Sequence, residues 1–133
     1  MFGLLLWLGM GCGGEPDGAG EHAYEGWTEG LWAGQALTIR AGMDEAVSLV
    51  ETGEQERGAA LALQVYEGSF EPEMEPAIRE VLGPRAATEM EFRFGVVVDS
   101  LRAGRGGAST AAELMDALDE AAARLDEQRV EIR

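Results

Sequence analysis

The sequence predicts an all-α protein, an antiparallel four-helix bundle with a proline-bent second helix, and three observations carry that expectation. From residue 23 onward apolar residues recur at spacings of three and four, and no segment alternates like a strand for more than four residues. Glycine, proline and a capping pair punctuate the chain near residues 53, 83–84 and 102–110, which divides it into four helical stretches. The 133 residues suit one core and are too few for two domains of ordinary size.

The first helix is expected near 24–52, with Trp27, Leu31, Thr38, Met43, Ala46, Leu49 and Val50 at broadly helical spacings and a stop at Gly53. Gly26, Gly30, Gly34 and Gly42 fall on one side of it. Glycine costs about 1 kcal/mol against alanine in a helix, so this stripe predicts close approach of another backbone within the bundle. Charged residues such as Glu25, Glu29 and Arg40 exclude a membrane span here.

The second helical region, 54–81, carries Leu63, Tyr66, Phe70, Met74, Ala77 and Val81 as one stripe. Pro72 lacks a backbone donor and restricts Glu71, which predicts a bend or restart near Gly68 and Ser69. With Ser69 as cap, Glu71 and Glu73 sit at the start of the new helix, where its dipole favours negative charge. The third helix, 84–103, enters through Pro84 and buries Ala87, Met90, Phe94, Val97, Val98 and Leu101, with Glu91 inside the stripe and in need of a partner. Residues 102–109 read as a loop, and Thr110 with Glu113 as a capping box for the last helix. Ala111, Leu114, Leu118, Ala121 and Leu125 form its buried face, and the charged end after Asp126 is expected to fray. Leu63, Phe70, Phe94, Leu118 and Leu125 are therefore expected in the core of a bundle domain spanning 23–133.

The N-terminus has a different character. "MFGLLLWLGMGC" is apolar for its first eight positions and ends in small residues before Cys12, the single cysteine. It resembles the signal peptide and lipobox of bacterial lipoproteins, which implies removal of residues 1–11, lipidation of Cys12 and a membrane-anchored, extracytoplasmic location in the cell envelope, facing the periplasm in a two-membrane cell. The following "GGEPDGAGEH" has the composition of a flexible tether over residues 12–22.

Composition narrows the functional classes. Twenty-five acids stand against ten bases, all arginine, for a net charge of −15. Such a surface repels nucleic acid and favours cations or basic protein surfaces. One cysteine and one histidine, His22, exclude multi-thiolate and imidazole-rich metal sites and leave oxygen ligands. No nucleophile–base pair or phosphate-binding glycine loop is present, so the chain is read as a non-enzyme.

What remains is "VYEGSFEPEMEP", residues 65–76, with four glutamates. At 100° per residue Glu67 and Glu73 lie on opposite borders of the apolar stripe, Glu71 further round and Glu75 further still. Glu73 and Glu75 are accordingly assigned to the solvated start of a helix. "ALALQVYEGSFEPEMEPAIR" followed by "EMEFRFGVVVDSLRAG" resembles the extracytoplasmic helical domain of some bacterial high-affinity iron permeases. Tyr66, Phe70, Glu71 and Pro72 match its A-Y-x-x-x-F-E-P stretch, Glu75 is its further glutamate one residue late, and Glu91 with Phe94 matches its E-x-x-F. The permease's membrane helices and R-E-x-x-E motifs are absent from the sequence. The resemblance thus implies an accessory to iron binding or uptake, partnered by a permease or another envelope protein. Tyr66, Glu67, Glu71 and Glu91 would form a hard oxygen site for ferric iron or calcium. The alternatives are a solvated face at a helix bend and a protein-interaction or structural lipoprotein that uses no metal.

Overall fold

The computed structural model describes residues 26–132, and these fold into five α-helices with no strand among the described residues. They are α1 (Leu31–Glu51), α2 (Gln55–Val65), α3 (Met74–Val81), α4 (Pro84–Ala103) and α5 (Gly107–Glu127). A π-helical turn, Tyr66–Phe70, continues α2, and turn residues 71–73 separate it from α3. Helix α1 packs on α2 and α5, α2 on α4, α4 on α5, and α3 chiefly on α4. The expected signal peptide 1–11, lipidation site Cys12, tether 12–22 and helix start at 24–25 lie outside the described residues.

α1 begins seven residues later than its periodicity predicts. Gly30 sits at φ +77°, a left-handed conformation that no L-residue helix passes through, so the helix starts after it. Its buried face is Trp32, Ala36, Ile39, Met43 and Ala46, a clean alternation of four and three. Thr38 is exposed, and its hydroxyl donates to the Gly34 carbonyl. Two tryptophans five residues apart offer two helical phases; Met43 and Ala46 of the expected face are buried in the phase of Trp32, whereas Trp27 precedes the helix.

The expected glycine stripe divides. A Cβ at Gly26, Gly30 or Gly34 would meet nothing within 4 Å, whereas one at Gly42 would run into Val65 of α2. The close approach to another backbone comes from Gly58, a position outside that stripe. A Cβ there would lie 2.7 Å from the Ala46 carbonyl oxygen and 2.6 Å from Val50. Gly58, Ala59 and Ala62 are the buried face of α2, and such small side chains let α1 and α2 approach. Leu63, assigned to the core by sequence, is 41% exposed because that narrow face leaves it on the flank.

The second region breaks differently from the prediction. The Glu71 N–H donates to the Tyr66 carbonyl at 2.9 Å, five residues back, which widens the turn just before Pro72 removes the next donor. Ser69 lies inside this π turn and does not cap; Glu73 occupies the cap position of α3, and its carboxylate accepts from Gln35 Nε2. An extra residue in the turn rotates everything after it by about 100° relative to an unbroken helix. Phe70, Met74 and Ala77 of the expected stripe are buried all the same, and the change shows in Ile78, which is buried in place of the expected Val81, itself only half-buried.

α4 matches its predicted bounds, and all six residues of its expected stripe are buried. α5 starts at Gly107, three residues before the expected capping box. Gly106, at φ +78°, is its cap residue, and the Thr110 hydroxyl donates to the Gly106 and Gly107 carbonyls from within the helix. Leu114, Leu118 and Leu125 are fully buried.

The segment after Asp126 is pinned by specific contacts instead of fraying. Asp126 accepts from the backbone N–H of Trp32 and Ala33 and from Trp27 Nε1, each at 2.9 Å. It thereby caps the start of α1 from the far end of the chain and supplies the negative charge that the helix dipole favours. Trp32 Nε1 donates to the Val130 carbonyl at 2.7 Å, Arg129 lies over the Trp27 ring at 5.3 Å, and Val130 and Ile132 pack against the core.

Candidate functional site

Three elements converge beside the π turn. Tyr66 stands at its start, α3 brings Glu75 and Arg79, and α4 brings Glu91. Beneath them the Tyr66 ring lies 5.7 Å from Phe70 and 5.1 Å from Phe94, and those two rings are 4.8 Å apart. Phe70 and Phe94 are buried, so the phenol rests on an apolar, well-packed base that fixes its position.

Above that base the guanidinium of Arg79 bridges two carboxylates. One Nη donates both to Glu75 and to Glu91, the latter at 3.1 Å. Glu75 is the most enclosed of the three, with 12% of its side chain exposed, against 35% for Glu91 and 44% for Arg79. One guanidinium cannot neutralise two carboxylates with Glu71 close by. A carboxyl–carboxyl hydrogen bond with Glu75, then burial, then the charges of Glu75 and Glu71 hold Glu91 above the usual glutamate range, against the pull of Arg79. Burial first, then Glu91, Glu71 and Glu75, push the Tyr66 phenol up as well. The hydrogen bond to Glu75 raises Arg79 further, so it stays charged throughout.

Of the four residues expected from sequence, Tyr66 and Glu91 meet in this cluster. Glu71 is exposed and acts on both of them through its charge; Glu67 is exposed and takes no part in the ion-pair network. Glu75, which a uniform helical wheel turns towards solvent, takes the inner position. Its signal in the sequence is the i, i+4 pair that it makes with Arg79.

The donor set of one phenol, Tyr66, and two carboxylates, Glu75 and Glu91, is all oxygen, which suits a hard cation. As the side chains stand, no group of three or more His, Cys, Asp or Glu among the described residues is arranged to hold a metal ion. Arg79 takes the bridging place between Glu75 and Glu91, so a metal ion would have to displace it. An open groove of about 290 Å³ begins at the same cluster and runs along α4, lined by Leu63, Tyr66, Glu91, Phe94, Gly95, Val98 and Asp99. Comparison with family models, with curated proteins and with solved structures finds no match to the chain.

Proposed function

We propose that this chain is an envelope-anchored, acidic helical domain that accepts a cation at the Tyr66, Glu75 and Glu91 cluster, with ferric iron as cargo of an uptake system. The observation that carries the proposal is the shortage of positive charge there. Glu75 and Glu91 share one guanidinium beside a phenol, with Glu71 close enough to add its charge. The hydrogen bond to Glu75 first, and burial and neighbouring charge after it, raise Glu91, while burial first and the three carboxylates after it raise Tyr66. A trivalent ion would relieve this imbalance and would draw the proton from the phenol. Support also comes from the residues behind the resemblance to iron-permease domains. Tyr66, Phe70, Glu75, Glu91 and Phe94 are scattered over 29 positions of sequence and meet in one cluster. As architecture we propose an antiparallel four-helix bundle in which α2 and α3 together form one bent member. Cys12 is proposed as the lipid anchor, and no helix among the described residues is long and apolar enough to cross a membrane.

The test is calorimetry of a chelated ferric salt against the wild type, Glu75→Gln, Glu91→Gln and the remote, exposed Glu56→Gln, at low and high sodium chloride. A built site loses most of its excess affinity with either cluster substitution and little with Glu56→Gln. Diffuse attraction to the −15 surface instead collapses with salt, because exposed charges are screened over about 8 Å at physiological ionic strength. Detergent partitioning of wild type and Cys12→Ala tests the anchor; equal recovery in the aqueous phase contradicts it.

A second reading is favoured by Arg79. Because a resident guanidinium already bridges Glu75 and Glu91, the cluster is also a complete structural ion pair, and the domain would then serve as an interaction module without metal.

A further inference from the structure

We infer that the groove between α2 and α4 docks a basic amphipathic segment of a partner protein. Its floor is apolar, formed by Phe94, Val98 and the exposed flank of Leu63, and its two ends are acidic, Glu91 and Asp99. No basic residue lines it; Arg79, outside it, holds Glu91 to Glu75, and with Glu71 close by that end still carries more negative than positive charge. Grooves of similar size elsewhere on the molecule carry both signs: the one beside Ile78 sets Glu89 and Glu120 against Arg93 and Arg124, and the one beside Phe92 sets Glu89 and Glu113 against Arg93. Charge is balanced within the first of these and partly offset within the second. In the α2–α4 groove it calls for a cationic visitor.

Gly95 supplies an independent pointer. It lies in the middle of α4, midway between Glu91 and Asp99, where glycine is the least favourable residue except proline. A Cβ there would meet nothing within 4 Å, so no internal neighbour demands the glycine. What its missing side chain does is deepen the groove at its centre. A ligand with an apolar side chain seated over Gly95 would place flanking charges towards the two acids. These stand eight residues apart on one helix, about 12 Å along its axis at 1.5 Å per residue. Two arginines or lysines two helical turns apart, with a leucine or phenylalanine between them, match that spacing. A single metal ion cannot span it, and a second copy of this chain, at −15, brings the wrong charge. The inference goes beyond the cation site. It shares Tyr66 and Glu91 with that site, so it is stated for the metal-free domain.

The experiment is fluorescence anisotropy with a labelled helical peptide that carries two arginines two turns apart around leucine and phenylalanine, in buffer with a metal chelator. Wild type should bind saturably, and the peptide with glutamates in place of arginines should not. Gly95→Leu fills the groove and should weaken binding by about tenfold or more, with circular dichroism and the thermal midpoint held. Gly95→Ala, which any helix interior tolerates, should give the same ordering at smaller amplitude. Asp99→Asn should weaken binding and flatten its salt dependence. Both Gly95→Leu and Asp99→Asn should leave the ferric titration unchanged, which separates failure here from failure of the cation site. Equal binding by wild type and the Gly95 variants, binding of the glutamate peptide, absence of saturation at millimolar peptide, or a dimer in wild type that Gly95→Leu dissolves would each overturn the inference.

Discussion

Replacing Asp126 with alanine should unfasten both ends of the helical domain at once. Three donors lose their acceptor: the N–H groups of Trp32 and Ala33 in the first turn of α1, and the indole of Trp27, each at 2.9 Å. Loss of an N-cap acceptor costs about 1 kcal/mol, within a range of roughly 0.5–2. The favourable charge at the helix dipole adds about 0.3–1 kcal/mol, and the half-buried indole bond about 1 kcal/mol. Together these predict a loss of about 2–4 kcal/mol for Asp126→Ala. At roughly 4–8 °C per kcal/mol for a domain of this size, the thermal midpoint should fall by about 8–32 °C. Asp126→Asn keeps one acceptor oxygen, sets an NH2 against one of the donors and gives up the charge, so it should cost about 1–2 kcal/mol. Urea unfolding followed by tryptophan fluorescence measures both, since Trp27 and Trp32 report from the clasp itself. A loss below about 0.5 kcal/mol for Asp126→Ala, the range of an ordinary surface substitution, would refute the trans cap.

Glycines separate tight from open packing: Gly34→Ala should stabilise by up to about 1 kcal/mol because its Cβ has free space in a helix. Gly58→Ala should destabilise by about 1–3 kcal/mol because its Cβ would press on the Ala46 carbonyl; chemical denaturation of the pair checks the contrast. Phe94→Ala removes a ring that is 2% exposed and packed on Tyr66 and Phe70, and should cost about 3–5 kcal/mol in the same assay. A pH series should show the raised Glu91. The folded state holds its proton more tightly than the unfolded state, so this contribution is fully present below the ordinary glutamate value and is lost as pH rises through the folded one. Glu91→Gln should remove that downward slope, and a slope identical to wild type would contradict the shift.

Helix content and most of the core follow from local pattern, and α4 shows why. Pro84 fixes its start, a left-handed Gly104 ends it, and one uninterrupted stripe leaves a single choice of buried face. Where the pattern fails, a nonlocal partner or a change of helical pitch has intervened. α1 takes its phase from Trp32, whose indole is held by Val130, almost a hundred residues away. Asp126 caps that helix across the same interval, so neither end carries a local sign of it. Glu75 was misplaced because a wheel of constant 100° steps runs through Tyr66–Phe70 and the turn after it, where the real backbone widens and resets. Glu91 was legible for the opposite reason: a carboxylate within an apolar stripe demands a partner, and Arg79 supplies it.

The proposed cation site can be tested through its phenol. Tyr66 is the one donor in the cluster whose ligation to ferric iron has its own optical signature, a visible ligand-to-metal charge-transfer absorption. Titrating a chelated ferric salt into the full domain should develop this band to saturation at one equivalent. Tyr66→Phe, which keeps the stacking on Phe70 and Phe94, should abolish it with the fold intact, and Glu75→Gln should weaken it. A ferric complex without the band, or a band that persists in Tyr66→Phe, would contradict a cation site at Tyr66, Glu75 and Glu91.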